Sequence, residues 1–412
     1  MMKRMVAALA LSVLSASPIA AQQTTPPTGF QFVSPDGQFQ LRLRGLLHSD
    51  GRFFPSDGAD LAADLFTLRR VRPTVEATVY RIFDLRLTPD FGGGTAVLQD
   101  AYLDLRFAPA LRVRAGKFKS PFGLERLASA SEMLFLERAF PTSLAPNRDV
   151  GVMLHGETLG TDLSYAVALV DGAVDGGSTD ADDADSKDVV GRVFVQPFRR
   201  GTHERLTGLG VGAAASYGEQ DGTAASAALP AYRTTGQQVF FRYRADGTAA
   251  GTTVANGTRS RWSAQGYYYS GRLGVLAEQV FSSQQVRRGT STARLDTNAW
   301  QIAGSWVLTG EAASYRGVTP KETFDRAAGT WGALEVTARY HQLAADEAAF
   351  PIFANPQTAA AEATALAAGL NWFLNRYVKL VFQYEHTHFD GGAPDGDRPA
   401  EHGVFARLQF AF

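Results

Sequence analysis

Residues 38–48 read QFQLRLRGLLH, with Phe39, Leu41 and Leu43 on one side of an extended chain and Gln40, Arg42 and Arg44 on the other. A repeat of two is the mark of a β-strand that divides apolar from polar surroundings. The polar side here is cationic. The pattern returns in residues 70–80, where Val71, Val75, Ala77 and Val79 oppose Arg70, Arg72, Thr74, Glu76 and Thr78. It continues through Phe83, Leu85 and Leu87, through Leu103, Leu105 and Phe107, and through Leu111 and Val113, each set interleaved with charged or hydroxyl residues.

A water-soluble sandwich alternates in the same way, so the connections carry the decision. Tight turns at Arg81, Pro109, Gly160, Gly271 and Asn375-Arg376 alternate with long polar stretches at 49–64, 120–149, 171–188 and 342–362. A transmembrane barrel distributes its connections in this way, short on one rim and long on the other. Seventeen stretches alternate, and antiparallel closure requires an even number. Residues 237–245 are therefore assigned to a single loop, 218–258, that folds into the barrel mouth and presents Arg242 and Arg244. The expected fold is all-β: a 16-stranded antiparallel transmembrane β-barrel with inward-folded loops.

Composition narrows the function. The chain of 412 residues has 40 Lys+Arg against 41 Asp+Glu and no Cys. Near-neutrality argues against a nucleic-acid binder, which needs surplus cations to displace phosphate counterions. The missing thiols exclude a disulfide framework and thiolate chemistry. Lys3 and Arg4, an apolar run over residues 6–14 and small residues leading to Ile19-Ala20-Ala21 form the layout of a secretory signal peptide, 1–21. The apolar run is too short to span a bilayer as a helix. A short segment, 22–37, then precedes a barrel domain, 38–412. Export and closure together place the protein in the outer membrane of a Gram-negative bacterium, among lipid and lipopolysaccharide. The final stretch, 403–412, alternates as GVFARLQFAF and ends on Phe412; it resembles the sorting signal of outer-membrane barrels.

From about Arg44 onward the chain resembles the phosphate-selective porin O and P family. Four segments carry the likeness: FTLRR at 66–70, GKFKSPFGLER at 116–126, LTGE at 308–311 with Tyr315-Arg316, and RLQFAF at 407–412. The second is the most specific. The resemblance implies a homotrimer of sixteen-stranded barrels, each narrowed by an inward third loop and lined by an arginine ladder above a basic periplasmic vestibule. It implies that Arg69 and Arg70 stand at the constriction with the acidic Asp100, and that Arg126 takes the place of a constriction lysine. Arg242 and Arg244 fall where the fifth loop supplies ladder arginines, and Arg316, Lys321 and Arg326 make a sparse periplasmic basic set. Two features depart from the family pattern: Leu46 replaces an arginine of the first strand, and the periplasmic cluster is thin.

The residues support the same chemistry independently. Arg42, Arg44, Arg70, Arg72, Arg86, Arg106, Arg112, Arg114 and Arg192 share the expected lumen phase and outnumber Glu76, Asp84, Asp100 and Asp104. Guanidinium holds its charge at any working pH and offers paired donors to an anion that has lost its hydration. Low-dielectric walls focus such an excess and raise the local anion concentration. Arg69 is out of phase with Arg70, which leaves lipid headgroups open as its destination.

Other constellations yield less. The acidic stretch with Asp180, Asp182, Asp183, Asp185 and Asp188 lacks the glycine and closing glutamate of an EF-hand and reads as a solvated loop. His386 and His388 share a strand face with no evident third ligand, so no metal site is expected, and no cofactor is implied. Gly92-Gly93-Gly94 reads as a turn. The expected function is passive diffusion of small solutes through an anion-selective, arginine-lined pore, with phosphate or polyphosphate-like ions as candidates. A general or weakly selective porin is the alternative reading. The competing classes are an outer-membrane barrel enzyme, for which no catalytic motif stands out, and a plugged structural barrel.

Overall fold

The computed structural model describes residues 30–55, 63–158, 160, 162–180, 187–200 and 204–412. The segment expected as a signal peptide lies outside the described residues, as do Asp182, Asp183 and Asp185. Sixteen strands form the wall: β1 (Phe39–Phe53), β2 (Leu65–Val79), β3 (Phe83–Asp90), β4 (Val97–Ala108), β5 (Leu111–Lys119), β6 (Arg148–Thr158), β7 (Leu163–Val170), β8 (Asp188–Val195), β9 (Leu209–Asp221), β10 (Val254–Ser270), β11 (Leu273–Arg288), β12 (Ser291–Val307), β13 (Ala333–Ala344), β14 (Ala360–Phe373), β15 (Val378–Ala393) and β16 (Glu401–Ala411). Each pairs antiparallel with its chain neighbours. β16 returns to β1, with Ala411 opposite Leu46 and Val404 opposite Phe53. The sheet is a closed barrel, so no wall strand is left with an open edge.

Alternation along the strands sorts side chains as the sequence arithmetic requires. Leu41, Leu43, Leu85, Leu87, Val152, Leu154, Val167 and Leu169 lie exposed on the outer surface. Arg42, Arg44, Arg72 and Glu76 of the neighbouring strands point to the lumen, where they pair with one another or with lumen acids. No helix among the described residues is long and apolar enough to cross a membrane; the crossing elements are the strands.

The wall is uneven. β3, β7 and β8 have eight residues each, whereas β10 and β12 have seventeen. Between β11 and β12 the ladder runs up to Arg288 opposite Ser291, leaving a two-residue tip whose Gly289 has φ +57°. That connection is short although it lies on the long-loop rim. The strands themselves project there in place of a loop. The opposite rim also has an exception: residues 308–332 form a long connection between β12 and β13. One half enters the lumen and buries Ala313 and Val318, and the other half makes a small hairpin closed by Asp325 and Thr330.

The odd alternating stretch is not a wall strand. Val239–Arg242 pairs with Ala231–Arg233 in a separate two-stranded sheet. Its rings are apolar on both faces: Tyr232, Phe240 and Phe241 are all buried, and Phe240 contacts Phe140 and Phe389. A hairpin packed inside the mouth alternates no differently from one in the wall, so parity was the only guide to its place. Of the acidic stretch, Asp180 is exposed as expected of a solvated loop, whereas Asp188 is not. Asp188 is buried against Arg259 at 2.8 Å and Arg261 at 3.2 Å, and Asp175 takes a second bond from Arg261 at 2.6 Å.

The closing seam is capped by aromatic rings. Gly45 and Phe412 exchange backbone hydrogen bonds of 3.1 and 3.2 Å, and the Phe412 ring lies over Gly45, 5.9 Å from Phe30 and 5.5 Å from Phe410. A Cβ on Gly45 would stand 2.3 Å from that ring. Gly45→Ala must swing Phe412 off the seam. The temperature at which the folded band converts to the unfolded one in detergent electrophoresis should fall by a few degrees, with conductance unchanged.

Candidate functional site

The connection 120–147 between β5 and β6 does not project outward. Phe122, Leu124, Leu136 and Leu144 are almost fully buried, so the loop packs into the barrel as a second layer. It is tied to eight consecutive strands, β11 to β16 and on to β1 and β2. Glu278 accepts from the Leu124 amide at 2.6 Å, and Gln301 donates to Glu125 at 3.1 Å. The Phe140 amide donates to His341, and Asn371 donates to the Leu134 carbonyl at 3.0 Å. Gln383 accepts from the Leu136 amide at 2.9 Å, and Gln409 donates to the Ser131 carbonyl at 3.0 Å. From the opposite rim the Tyr315 hydroxyl donates to the Leu124 carbonyl at 2.6 Å, while its ring stacks on Tyr267.

The strongest tie is ionic. The Glu137 carboxylate, on the loop, lies 3.0 Å from Arg52, 2.6 Å from Arg69, 3.1 Å from Arg70 and 3.5 Å from Arg407. Asp50 holds the same cage from behind, 2.6 Å from Arg407 and 3.2 Å from Arg52. Burial alone would raise the Glu137 pKa, but Arg70, Arg69, Arg407 and Arg52 outweigh it and hold the carboxyl well below its ordinary value. Arg69 reaches the lumen through a β-bulge: His48 pairs with Arg70 and the next residue, Ser49, with Leu68, so Arg69 is an extra residue with no partner across the ladder. A bulge re-aims a side chain, and both arginines meet one carboxylate. Lipid headgroups are not where Arg69 points.

The lumen side of β1 to β6 carries a paired charge lattice. Arg42 and Arg44 approach Glu76, Arg72 pairs with Asp90, and Arg86 bridges Glu76 and Asp100. Arg106 and Arg112 share Asp84, Arg112 and Arg114 share Asp104, and Arg148 reaches Asp100 at 3.2 Å. Eight arginines are set against five carboxylates. The lattice is net positive.

Three cations, Lys119 at the end of β5 and Arg126 and Arg138 on the loop itself, have no carboxylate at ion-pair distance among the described residues. Lys119 donates to the carbonyls of Leu127 at 3.1 Å and Ala128 at 2.8 Å. Arg138 donates to the carbonyls of Glu125 at 2.9 Å and Ala128 at 2.8 Å. Arg126 donates to the Thr142 carbonyl. Because Lys119 Nζ and one Arg138 Nη share the Ala128 carbonyl oxygen, those two nitrogens lie at most twice 2.8 Å apart. Burial, then Arg138 and Arg148, push the Arg126 pKa down to about 9. Like charges held together on neutral dipoles form a site that an anion relieves.

Residues 39–412 match the family described as phosphate-selective porin O and P. The chain belongs to that family. Porin O of Pseudomonas aeruginosa is 24% identical over 98% of this chain and 97% of its own. The outer membrane channel DcaP of Acinetobacter baumannii superposes with a TM-score of 0.58 at 12% identity, covering 92% of this chain and 99% of its own. An anion-selective porin from Comamonas acidovorans gives 0.57 at 12% identity, covering 91% and 100%. This protein is an outer-membrane porin, and not an enzyme.

In this porin the residues singled out from sequence fall into distinct surroundings. Arg69 and Arg70 serve the Glu137 cage, Arg126 lies inside the loop, and Asp100 binds Arg86 and Arg148. Arg244 is tied to the 345–359 loop, through the Pro351 carbonyl at 2.9 Å and Asn355 at 3.4 Å, while Arg242 is exposed. Arg316 and Lys321 are exposed on the 308–332 connection. Arg326 is exposed as well, in the small hairpin between Asp325 and Thr330. Sequence reasoning did not find Glu137, Lys119 or Arg138. Lys119 lies within the GKFKSPFGLER segment, the one available pointer; Glu137 and Arg138, beyond its end, gave no signal.

Glu137→Gln leaves four guanidiniums around a neutral amide, a loss of about 3–5 kcal/mol for a broken buried pair. Single-channel records of this variant should show added open-channel noise as the loop detaches. Because the native carboxyl titrates below its ordinary range, the cage is intact above that range and is lost only as pH falls through the depressed value. Wild-type noise should therefore be the same at pH 7 and pH 5.

Proposed function

We propose that this porin is an anion-preferring channel for small inorganic ions, with oxyanions such as phosphate among its solutes. The observation that carries the reading is the carbonyl-bound trio Lys119, Arg126 and Arg138, positive charge at the inward loop with no carboxylate at ion-pair distance among the described residues. The eight-to-five excess of arginines on β1 to β6 would draw anions toward it. Bonds from these cations to backbone carbonyls are exchangeable. An entering anion takes over donors that are already desolvated and then gives them back, and conduction needs departure as well as capture.

A second reading rests on the lattice itself. Arg106 and Arg112 are each matched to Asp84 at 2.5 and 2.9 Å, and facing charges of opposite sign suit a general porin that orients water and sorts solutes by size. We further propose a homotrimer, packed through the low wall of β3 to β8, whose apolar outer face would otherwise meet lipid. A solved OmpT of Vibrio cholerae is a trimer form, which supports the same assembly here.

Reversal potential in a tenfold KCl gradient separates the two readings. The anion channel requires a potential of anion-preferring sign that moves toward zero in Lys119→Gln and in Arg138→Gln, with a permeability ratio lower by roughly several-fold. Arg106→Gln should move it less, because Arg112 still holds Asp84. A potential near zero that ignores Lys119 supports the general porin, and a cation-preferring sign sinks the anion reading. Saturable reduction of chloride current by added phosphate would assign an oxyanion to the site.

A further inference from the structure

On the outer wall, above the exposed rings of Phe382 and Tyr384, β15 carries a line of histidine and aspartate that the channel does not use. His388 Nε2 lies 3.2 Å from Asp390 Oδ1, both side chains more than half exposed. Asp397 comes over them because Gly391 and Gly392, at φ +77° and +87°, turn the chain back. Gly392 then pairs with Asp397 and Ala393 with Gly396, and the Gly391 amide donates to Asp397 Oδ1 at 2.6 Å. One ligand atom from each of His388, Asp390 and Asp397 lies within 4.8 Å of the other two.

Charge around this triad is uncompensated. Among the described residues neither aspartate pairs with Lys or Arg. The nearest guanidinium in sequence, Arg398, turns inward: it donates to the Val239 carbonyl at 2.9 Å and lies over the Phe389 ring. Glu362 adds a further carboxylate, placed opposite Asp390 in the ladder and bonded only to Gln342 and Thr364. Two carboxylates and an imidazole gathered on one hairpin, with no Lys or Arg paired to either aspartate among the described residues, offer a divalent ion its ligands without an ammonium or guanidinium to displace.

We propose that His388, Asp390 and Asp397 form a divalent transition-metal site of the zinc type on the extracellular rim. One nitrogen and two oxygens suit zinc or its neighbours, whereas calcium and magnesium favour oxygen alone. Metal–ligand bonds of about 2.0–2.1 Å place tetrahedral ligands about 3.3 Å apart. The His388–Asp390 separation already meets that distance, and Asp397 reaches it by side-chain rotation at an exposed position. Three protein ligands leave the fourth position to water.

The test uses tag-free, full-length porin in detergent, stripped with EDTA and titrated calorimetrically with Zn²⁺, with Co²⁺ absorption reporting geometry. The expected result is one ion per chain with tetrahedral Co²⁺ bands, and binding about tenfold or more weaker in His388→Ala and in Asp397→Asn. His386→Ala, on the same face with its ring 4.6 Å from His402, should bind as the wild type does. Heat-modification on gels confirms that each variant is folded. Absence of saturable one-to-one binding overturns the proposal. So does binding that survives His388→Ala or is lost in His386→Ala, and so does equal competition by Mg²⁺, which would leave the imidazole no part.

Discussion

A single carboxylate in a cage of four guanidiniums, Glu137 among Arg52, Arg69, Arg70 and Arg407, makes the inward loop part of the wall. Taking five charged groups out of water is costly, and that cost is met only while all of them are present. The arginines come from β1, β2 and β16, the strands on either side of the seam where the chain closes on itself. The bond that narrows the pore therefore also bridges the seam. Barrel closure and pore dimensions are coupled through one side chain.

The lumen consequently has two kinds of positive charge. Arginines of the cage and the lattice are neutralised by fixed acids and set the shape and background field of the passage. Lys119, Arg126 and Arg138 are instead bonded to backbone carbonyls. Counting inward cations does not separate these classes, because both contain arginines directed at the lumen. What separates them is the partner.

That distinction marks the limit of what could be read from the sequence. The strands were legible because their environment is two-sided: lipid on one face and water on the other impose a period of two, and even-numbered closure removed the one stretch too many. Arg69 was not legible, because alternation sends neighbours to opposite faces and only the unpaired position opposite the step from His48 to Ser49 brings both arginines inward. Glu137 and Arg138 lie in a loop with no period, where nothing local says which wall strand a side chain will meet. The hairpin at 231–242 was recognised as surplus to the wall, but its burial against Phe140 and Phe389 depends on elements more than ninety residues away in either direction.

The loop's attachment to half the circumference, reinforced from the other rim by Tyr315, has a consequence for how solutes are sorted. An aperture riveted along eight staves cannot dilate around a large guest, so there is no induced accommodation to reward a good fit. Discrimination by size is then a matter of fixed bore, set by where the ties hold the loop.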